Sequence, residues 1–294
     1  NPSITPISTS VRVVAAGAHT FRLGLEPTEA VAGIPLRLTL QAVLDVFENT
    51  LEHYVGILSF RSDDHDPHAR HPGGRMFQEG DGIPYEVGEV VFVTSGVRTM
   101  TPYVDNAPKL GTASAVIRAA ELHHLRFVRQ PPDAEAGQVL NPTPEVSLED
   151  MYGNLILNTE QTIDVSVQPE NISVVSGTWA EIPATSGIAT LHNLVIRTTS
   201  PTGGYRLKAK LHNGSLAVES DPFAIRSGPT MHLIFSPQVP PATGQRAGQP
   251  FEPVIEVWVV DDHGNQVNRD HLVLAMRHGG SWSSHFPAAC LRVF

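Results

Sequence analysis

The residues best suited to chemistry lie in one short polar segment, Asp63-Asp64-His65-Asp66-Pro67-His68-Ala69-Arg70-His71. Imidazole nitrogens and carboxylate oxygens are ligands for Zn²⁺, Ni²⁺ and Cu²⁺. The candidate metal ligands are Asp63, Asp64, His65, Asp66, His68 and His71. Pro67 interrupts any helix that would place the histidines on one face, and no cysteine lies beside them. The segment therefore favours a solvated polar loop at the tip of a domain, with a metal site as the alternative.

A second set of oxygen-bearing side chains recurs three times, with Asp first and Asn fifth. The segments are DVFEN at 45–49, DMYGN at 150–154 and DDHGN at 261–265. Such oxygens could bind Ca²⁺, but each segment offers only two or three of them and none has the 12-residue loop that ends in Glu. Asp and Asn also close tight turns by bonding their own backbone. We therefore expect turns and no bound cofactor, with Ca²⁺ or Zn²⁺ as the open alternative.

No catalytic residue is predicted. The chain has no G-x-S-x-G, P-loop, H-E-x-x-H or G-x-G-x-x-G motif in a suitable context. Cys290 is the only cysteine and has no base near it in the sequence, so it is expected to be an incidental thiol and no intrachain disulfide can form. The protein is expected not to be an enzyme.

The elements that must position these residues come in three similar copies. Each copy starts with a short alternating run and continues with an Ala-Gly pair, at 32–33, 136–137 and 247–248. A strand-like stretch and then the Asp-Asn turn follow, and the Asp recurs after 105 and 111 residues. Several ordered features at a fixed period indicate a repeat architecture.

Each copy has the pattern of a β protein. Leu36, Leu38 and Leu40 alternate with polar residues, as in a strand with one buried face. The middle copy has about seven such strands in about 100 residues, which predicts tandem immunoglobulin-like β-sandwiches in an all-β fold. Its strands are expected near 124–129, 143–149, 161–168, 179–182, 188–197, 204–211 and 215–225. The predicted divisions are a final strand of a preceding repeat (1–16), repeat 1 (17–120), repeat 2 (121–228), and a truncated repeat 3 with an irregular tail (229–294).

Composition excludes several classes of protein. Of 294 residues, 24 are Gly and 24 are Pro, and the formal net charge is −10. A chain this acidic lacks the basic surface of a nucleic-acid binder. Its apolar runs fall short of the ~20 residues that span a bilayer, so no membrane insertion is expected in this segment.

The chain begins Asn1-Pro2-Ser3 without a signal-peptide pattern, and we expect a fragment of a longer exported protein.

The middle copy resembles the tandem bacterial immunoglobulin-like repeats of large extracellular or cell-surface proteins. The residues that carry the resemblance are Leu125 to Pro131 (LRFVRQP), Ala136-Gly137, the turn at 150–154, and Gly187 to Leu191 (GIATL). The resemblance implies an exported, non-catalytic spacer or adhesive arm at the cell surface or outside the cell. Its implied partners are neighbouring immunoglobulin-like repeats of the same chain, with a host-cell, matrix or polysaccharide ligand as further candidates.

The alternative function is that of a carbohydrate-binding accessory module of a secreted glycoside hydrolase. Sugar-binding sandwiches generally present several exposed aromatic side chains. This chain has only Trp179, Trp258 and Trp282, about one per copy, which is too few to form a platform.

Two departures from the repeat pattern lead to specific expectations. Glu48 stands where the other copies have Gly153 and Gly264. A left-handed backbone at that position would cost Glu about 1 kcal/mol relative to Gly. The third copy lacks its later strands, so we expect residues 230–294 to fold poorly alone, because half a sandwich leaves an apolar face in water.

Overall fold

The computed structural model describes residues 14–169, 177, 179–229, 232–235, 255–267 and 291–293. This part of the chain contains strands and turns but no helix, and therefore no helix long and apolar enough to cross a membrane. Contacts divide the chain into two compact units, Asn1–His123 with Glu149–Leu157, and His124–Leu148 with Asn158–Phe294. The repeat boundaries given above stay a prediction.

The first unit holds nine strands in two sheets. The strands are β1 (Thr20–Glu26), β2 (Glu29–Val31), β3 (Pro35–Leu44), β4 (Gly56–Ser62), β5 (Arg75–Phe77), β6 (Tyr85–Val91), β7 (Gly96–Val104), β8 (Ala107–Pro108) and β9 (Ala113–Arg118). One sheet has the order β1-β3-β6, and the other has the order β2-β9-β7-β4-β5, with β8 paired to β7. All pairs are antiparallel except β2 with β9, which run parallel. Two such sheets around one core form an immunoglobulin-like sandwich.

The core of the first unit confirms the alternating pattern seen in the sequence. Leu36, Leu38 and Leu40 of β3 are buried, as are every second residue of β9 and the rings of Phe21, Phe60, Phe77 and Phe92. Each fully buried aliphatic or aromatic side chain contributes roughly 1.5–3 kcal/mol through the hydrophobic effect. Because the polar residues between them face water, the pattern fixes which face of each strand turns inward.

The second unit contains the remaining strands, apart from Glu149 at the end of β12, which is grouped with the first unit. They are β10 (His124–Arg129), β11 (Ala134–Glu135), β12 (Glu145–Glu149), β13 (Thr162–Gln168), β14 (Ile182–Thr185), β15 (Ile188–Thr190), β16 (Arg206–Leu211), β17 (Ala217–Glu219), β18 (Ile225–Arg226), β19 (His232–Phe235), β20 (Ile255–Val260) and β21 (Leu291–Val293). The order β10-β12-β15-β14-β13-β16-β17 is continuous because β14 pairs with both β15 and β13. β11 and β18 pair in parallel, as β2 and β9 do.

The described part of the third copy is a three-stranded sheet with the order β19-β20-β21. β20 runs antiparallel to β19 and parallel to β21. The expected irregular tail contains β21, a described strand. The expectations for most of residues 1–16, for the rest of the tail, and for Cys290 and Trp282 lie outside the described residues. The prediction that residues 230–294 fold poorly alone stays a prediction.

Candidate functional site

The three Asp-Asn turns have the same internal hydrogen bonds. In the middle turn, Asp150 Oδ1 accepts the backbone N–H groups of Tyr152 and Asn154, each at 2.9 Å. Asp150 Oδ2 accepts the Nδ2 of Asn154 at 2.8 Å and the backbone N–H of Ala120 at 2.8 Å. The turns that begin at Asp45 and Asp261 repeat this pattern. The prediction of a closed turn is confirmed for Asp, whose side chain bonds the backbone of its own turn. The Asn side chain bonds the Asp carboxylate instead.

These bonds hold the three aspartates in the charged form. Burial raises the pKa of each carboxyl, but the hydrogen bonds from the Asn side chain and the backbone N–H groups lower it further. The net result is a pKa of about 2 for Asp45 and a pKa below the usual value for Asp150 and Asp261. A carboxylate that accepts several N–H donors is favoured in its ionised form.

The fourth residue of each turn has a left-handed backbone. Its φ is 66° at Glu48, 84° at Gly153 and 83° at Gly264. The left-handed conformation that was the condition for a cost at Glu48 is therefore present, and Glu48 adopts it without the conformational freedom of glycine.

The Asn side chain also bonds backbone groups far away in the sequence. Asn154 Nδ2 donates to the carbonyl of Val93 at 2.7 Å, and its Oδ1 accepts the N–H of Ser95 at 2.7 Å. All of these residues belong to the first unit. We call residues 92–95 the first acceptor loop. Both functions of the amide are satisfied there, and Asn154 is only 7% exposed.

The same arrangement recurs in the second unit. Asn265 Nδ2 donates to the carbonyl of Arg197 at 2.7 Å, and its Oδ1 accepts the N–H of Thr199 at 3.1 Å. We call residues 196–199 the second acceptor loop. Each acceptor loop starts at a carbonyl, Phe92 or Ile196, that binds the N–H of the glycine in an Ala-Gly pair, Gly33 or Gly137, at 2.8 Å.

The third residue of each of these two turns packs on that same glycine. The ring of Tyr152 lies against Gly33, and the ring of His263 lies against Gly137. A Cβ at either glycine would overlap with the facing ring, and both glycines have a left-handed φ, 85° and 83°. The Ala-Gly pairs are therefore part of the binding surface for the turn, because only glycine leaves room for the ring.

The carboxylates of the polar loop support the first acceptor loop. Asp64 is 6% exposed, and its Oδ2 accepts the backbone N–H groups of Val93 at 2.8 Å and Thr94 at 2.9 Å. Its Oδ1 accepts the Thr94 hydroxyl at 2.6 Å. Asp63 accepts the N–H of Thr99 at 2.8 Å. Burial raises the pKa of Asp64, but the bonds from Thr94, Val93 and Asp66 lower it more, so its pKa lies below the usual value.

The histidines of the loop lie at the surface. His65 is exposed, and His71 Nδ1 bonds the carbonyl of Pro72 at 3.1 Å. Asp66 Oδ1 accepts the N–H of His68 and contacts its Nδ1, and the ring centroid of His68 lies 6.1 Å from that of Tyr152. Within the described part of the chain, which includes this whole loop, no three His, Cys, Asp or Glu side chains are grouped as metal ligands.

The second acceptor loop has a different support. Tyr205 is buried, and its hydroxyl donates to the carbonyl of Thr199 at 2.9 Å. Burial raises the pKa of this hydroxyl, so it stays protonated and able to donate. Neither this bond nor the Asn contacts were foreseen from the sequence, because each joins groups that no local pattern relates.

Comparisons with known proteins found similarity to solved structures only. No protein-family model matches the chain, and no curated protein matches it. Among solved structures, the Escherichia coli adhesin FdeC is similar with a TM-score of 0.44 and 14% identity, covering 86% of this chain and 77% of that one. InvD of Yersinia pseudotuberculosis gives 0.40 and 17%, covering 84% and 71%. Domains 4 and 5 of the S-layer protein SbsC give 0.29 and 17%, covering 71% and 99%. At these identities and scores, neither a ligand nor an activity follows.

Proposed function

We propose that this chain is a non-catalytic structural arm of immunoglobulin-like repeats, part of an exported bacterial surface or secreted protein that acts as a spacer or in adhesion. The observation that carries the proposal is the contact of two Asp-Asn turns, at 150–154 and 261–265, with their acceptor loops. The amide N–H and C=O of both Asn154 and Asn265 form hydrogen bonds with backbone groups. Side chains used in this way stabilise a fold and are not available to a substrate.

The polar loop supports the same proposal. Asp64 is the most buried of its candidate ligands, and it accepts bonds from Val93, Thr94 and Asp66. A carboxylate that already accepts four N–H or O–H donors has little capacity left for a cation. Asp64 is therefore assigned to holding the first acceptor loop in place.

Calorimetric melting of the whole chain in chelator, in Ca²⁺ and in Zn²⁺ tests this function. A bound ion at a hundred times its Kd adds about 2.7 kcal/mol of stability, so the expected result is the same melting curve in all three buffers. Asp64→Asn is the matched variant, because it keeps the size of the side chain and removes the charge. A rise with Zn²⁺ that this variant abolishes would overturn the assignment of the loop.

Soluble polysaccharides test the carbohydrate-binding alternative. Trp179 and Trp258 are half-buried, so a sugar stacked on either ring would change the tryptophan emission. We expect no change on titration. A saturable change would favour an accessory module over an arm.

A further inference from the structure

We propose that the turn at 45–49 is a docking surface for a further immunoglobulin-like unit of the same repeat type. This inference extends the proposed arm by naming a partner for one of its surfaces. The occupant would present a left-handed glycine and an acceptor loop, as residues 33 and 92–95 do for the middle turn. We call the turn at 45–49 the open turn.

The open turn differs from the middle turn in the exposure of its third residue. Phe47, the counterpart of Tyr152 and His263, is 75% exposed. His263 is exposed as well, but its ring lies against Gly137. Tyr152, by contrast, packs against the core of the first unit.

Within the described part of the chain, the amide of the open turn makes none of the distant contacts that its counterparts make. Asn49 is exposed, and among the described residues its side chain bonds Asp45, at 3.0 Å. Asn154 and Asn265 make the same bond and add two more, to a carbonyl and an N–H. Among the described residues, one N–H of the Asn49 amide thus has no carbonyl acceptor, and its Oδ1 has no N–H donor.

The open turn is already shaped for docking. Asp45 accepts the N–H groups of Phe47, Asn49 and Ala16 at 2.8–2.9 Å, the same set that Asp150 and Asp261 accept. A preformed surface loses little conformational entropy when a partner binds. The open turn therefore differs from the docked turns in its partner and not in its own backbone.

The geometry of the docked turns also says what the occupant must be. Asn154 bonds residues 59 and 61 positions ahead of it, and Asn265 bonds residues 66 and 68 positions ahead. Both acceptor loops in the described part of the chain are already filled, by Asn154 and Asn265. The occupant is therefore a further unit, with glycine facing Phe47 and a backbone carbonyl and N–H facing Asn49.

A chain with one added copy supplies this occupant in a defined position. The extended chain consists of residues 1–119, the added copy, followed directly by residues 16–294. Ala16 of the second part then takes the position that Ala120 has after residue 119 in the ordinary chain. The open turn of the second part, called the inner copy, therefore meets the acceptor loop of the added copy. Phe47→Trp in the inner copy is the probe, and acrylamide quenching of its emission is measured by difference from the chain without this tryptophan. We expect a quenching constant at least twofold lower than for Phe47→Trp in the ordinary chain.

Two controls keep the test decisive. Phe47→Trp in the added copy, which has no unit ahead of it, should be quenched as in the ordinary chain. Tyr152→Trp in the ordinary chain gives the value for a docked turn, and adding Asn49→Ala to the inner copy should raise quenching again. Equal quenching of the inner and added copies, with circular dichroism showing both folded, would overturn the docking surface while leaving the metal and polysaccharide results untouched. Protection that depends on the concentration of the ordinary chain would overturn the choice of occupant in favour of a second copy.

Discussion

The two acceptor loops bind turns of the same kind, but different side chains hold each loop in place. In the first unit a buried carboxylate, Asp64, holds the N–H groups of Val93 and Thr94. In the second unit a tyrosine hydroxyl, that of Tyr205, holds the carbonyl of Thr199. Both arrangements present a carbonyl and an N–H two residues apart to an Asn side chain. What the copies share is the backbone geometry at the contact, and the chemistry that supports this geometry is free to change between them.

The largest effect is expected for Asp64→Ala. The variant removes the acceptor of the buried Val93 N–H and of the half-buried N–H and hydroxyl of Thr94, which costs about 3 kcal/mol. All three tryptophans lie after residue 178, so tryptophan emission reports the second unit, whereas far-UV circular dichroism reports both. We expect the urea midpoint by circular dichroism to fall and the tryptophan midpoint to stay. Asp63→Ala, at an exposed position, is the matched control, and equal losses for the two variants would remove the special role of Asp64.

Acid should weaken the first acceptor loop and spare the second. The folded pKa of Asp64 is lowered, whereas the unfolded carboxyl titrates near 3.9. Its contribution is therefore fully present above that value and is lost as the pH falls through the folded pKa. The difference in unfolding free energy between the native chain and Asp64→Asn should shrink below about pH 4. The tyrosine hydroxyl does not titrate in this range, so the effect of Tyr205→Phe should be constant from neutral pH into acid, and a pH-dependent effect would contradict the comparison.

Tyr205→Phe should have a smaller effect. It removes one neutral hydrogen bond while the ring stays packed against Phe223, for a loss of about 1 kcal/mol. The urea midpoint measured by tryptophan emission should fall for this variant, whereas it should stay unchanged for Asp64→Ala. An unchanged midpoint would mean that the second acceptor loop needs no such support.

The smallest effect is expected for Glu48→Gly, and it is stabilising. Glycine relieves the left-handed backbone at Glu48 but also enlarges the freedom of the unfolded chain, so the net gain is below about 1 kcal/mol. Gly153→Ala is the reciprocal change: its φ is also left-handed, and its Cβ would meet open space. Calorimetry should show a slightly higher melting temperature for the first change and a lower one for the second. A lower temperature for Glu48→Gly would show that the side chain has another stabilising contact.

Local sequence pattern predicted most of the fold. In the middle copy the strands expected near 124–129, 143–149 and 161–168 match β10, β12 and β13. The strand expected over 188–197 is much shorter, since β15 ends at Thr190 and the following residues form turns and the start of the second acceptor loop. Alternation gives the face of a strand reliably, but it does not say where pairing stops.

The contacts of the candidate site could not be read from the sequence in the same way. The Asp-Asn spacing predicted a closed turn because those bonds are local. The bonds between Asn154 and Val93 and between Asp64 and Thr94 join segments about 60 and 30 residues apart. A sequence pattern does not distinguish Asn154 or Asp64 from another polar residue of similar size at the same position. The one available signal was the recurrence of Ala-Gly ahead of each turn, which marks a place where a side chain must be absent.

The parallel pairing of β2 with β9 determines how the first unit would resist being pulled by its ends. Glu29 pairs with Val116, Ala30 with Ile117 and Val31 with Arg118, and flanking bonds join Thr28 to Val116 and Ala32 to Arg118. β2 lies near the start of the unit and β9 near its end, so opposite forces would slide the two strands past each other. Their hydrogen bonds would then bear the load together and break at once, and not one after another as in a zipper. The short parallel pair would thus resist mechanical unfolding because its strands run parallel to each other, and not because the pair is long.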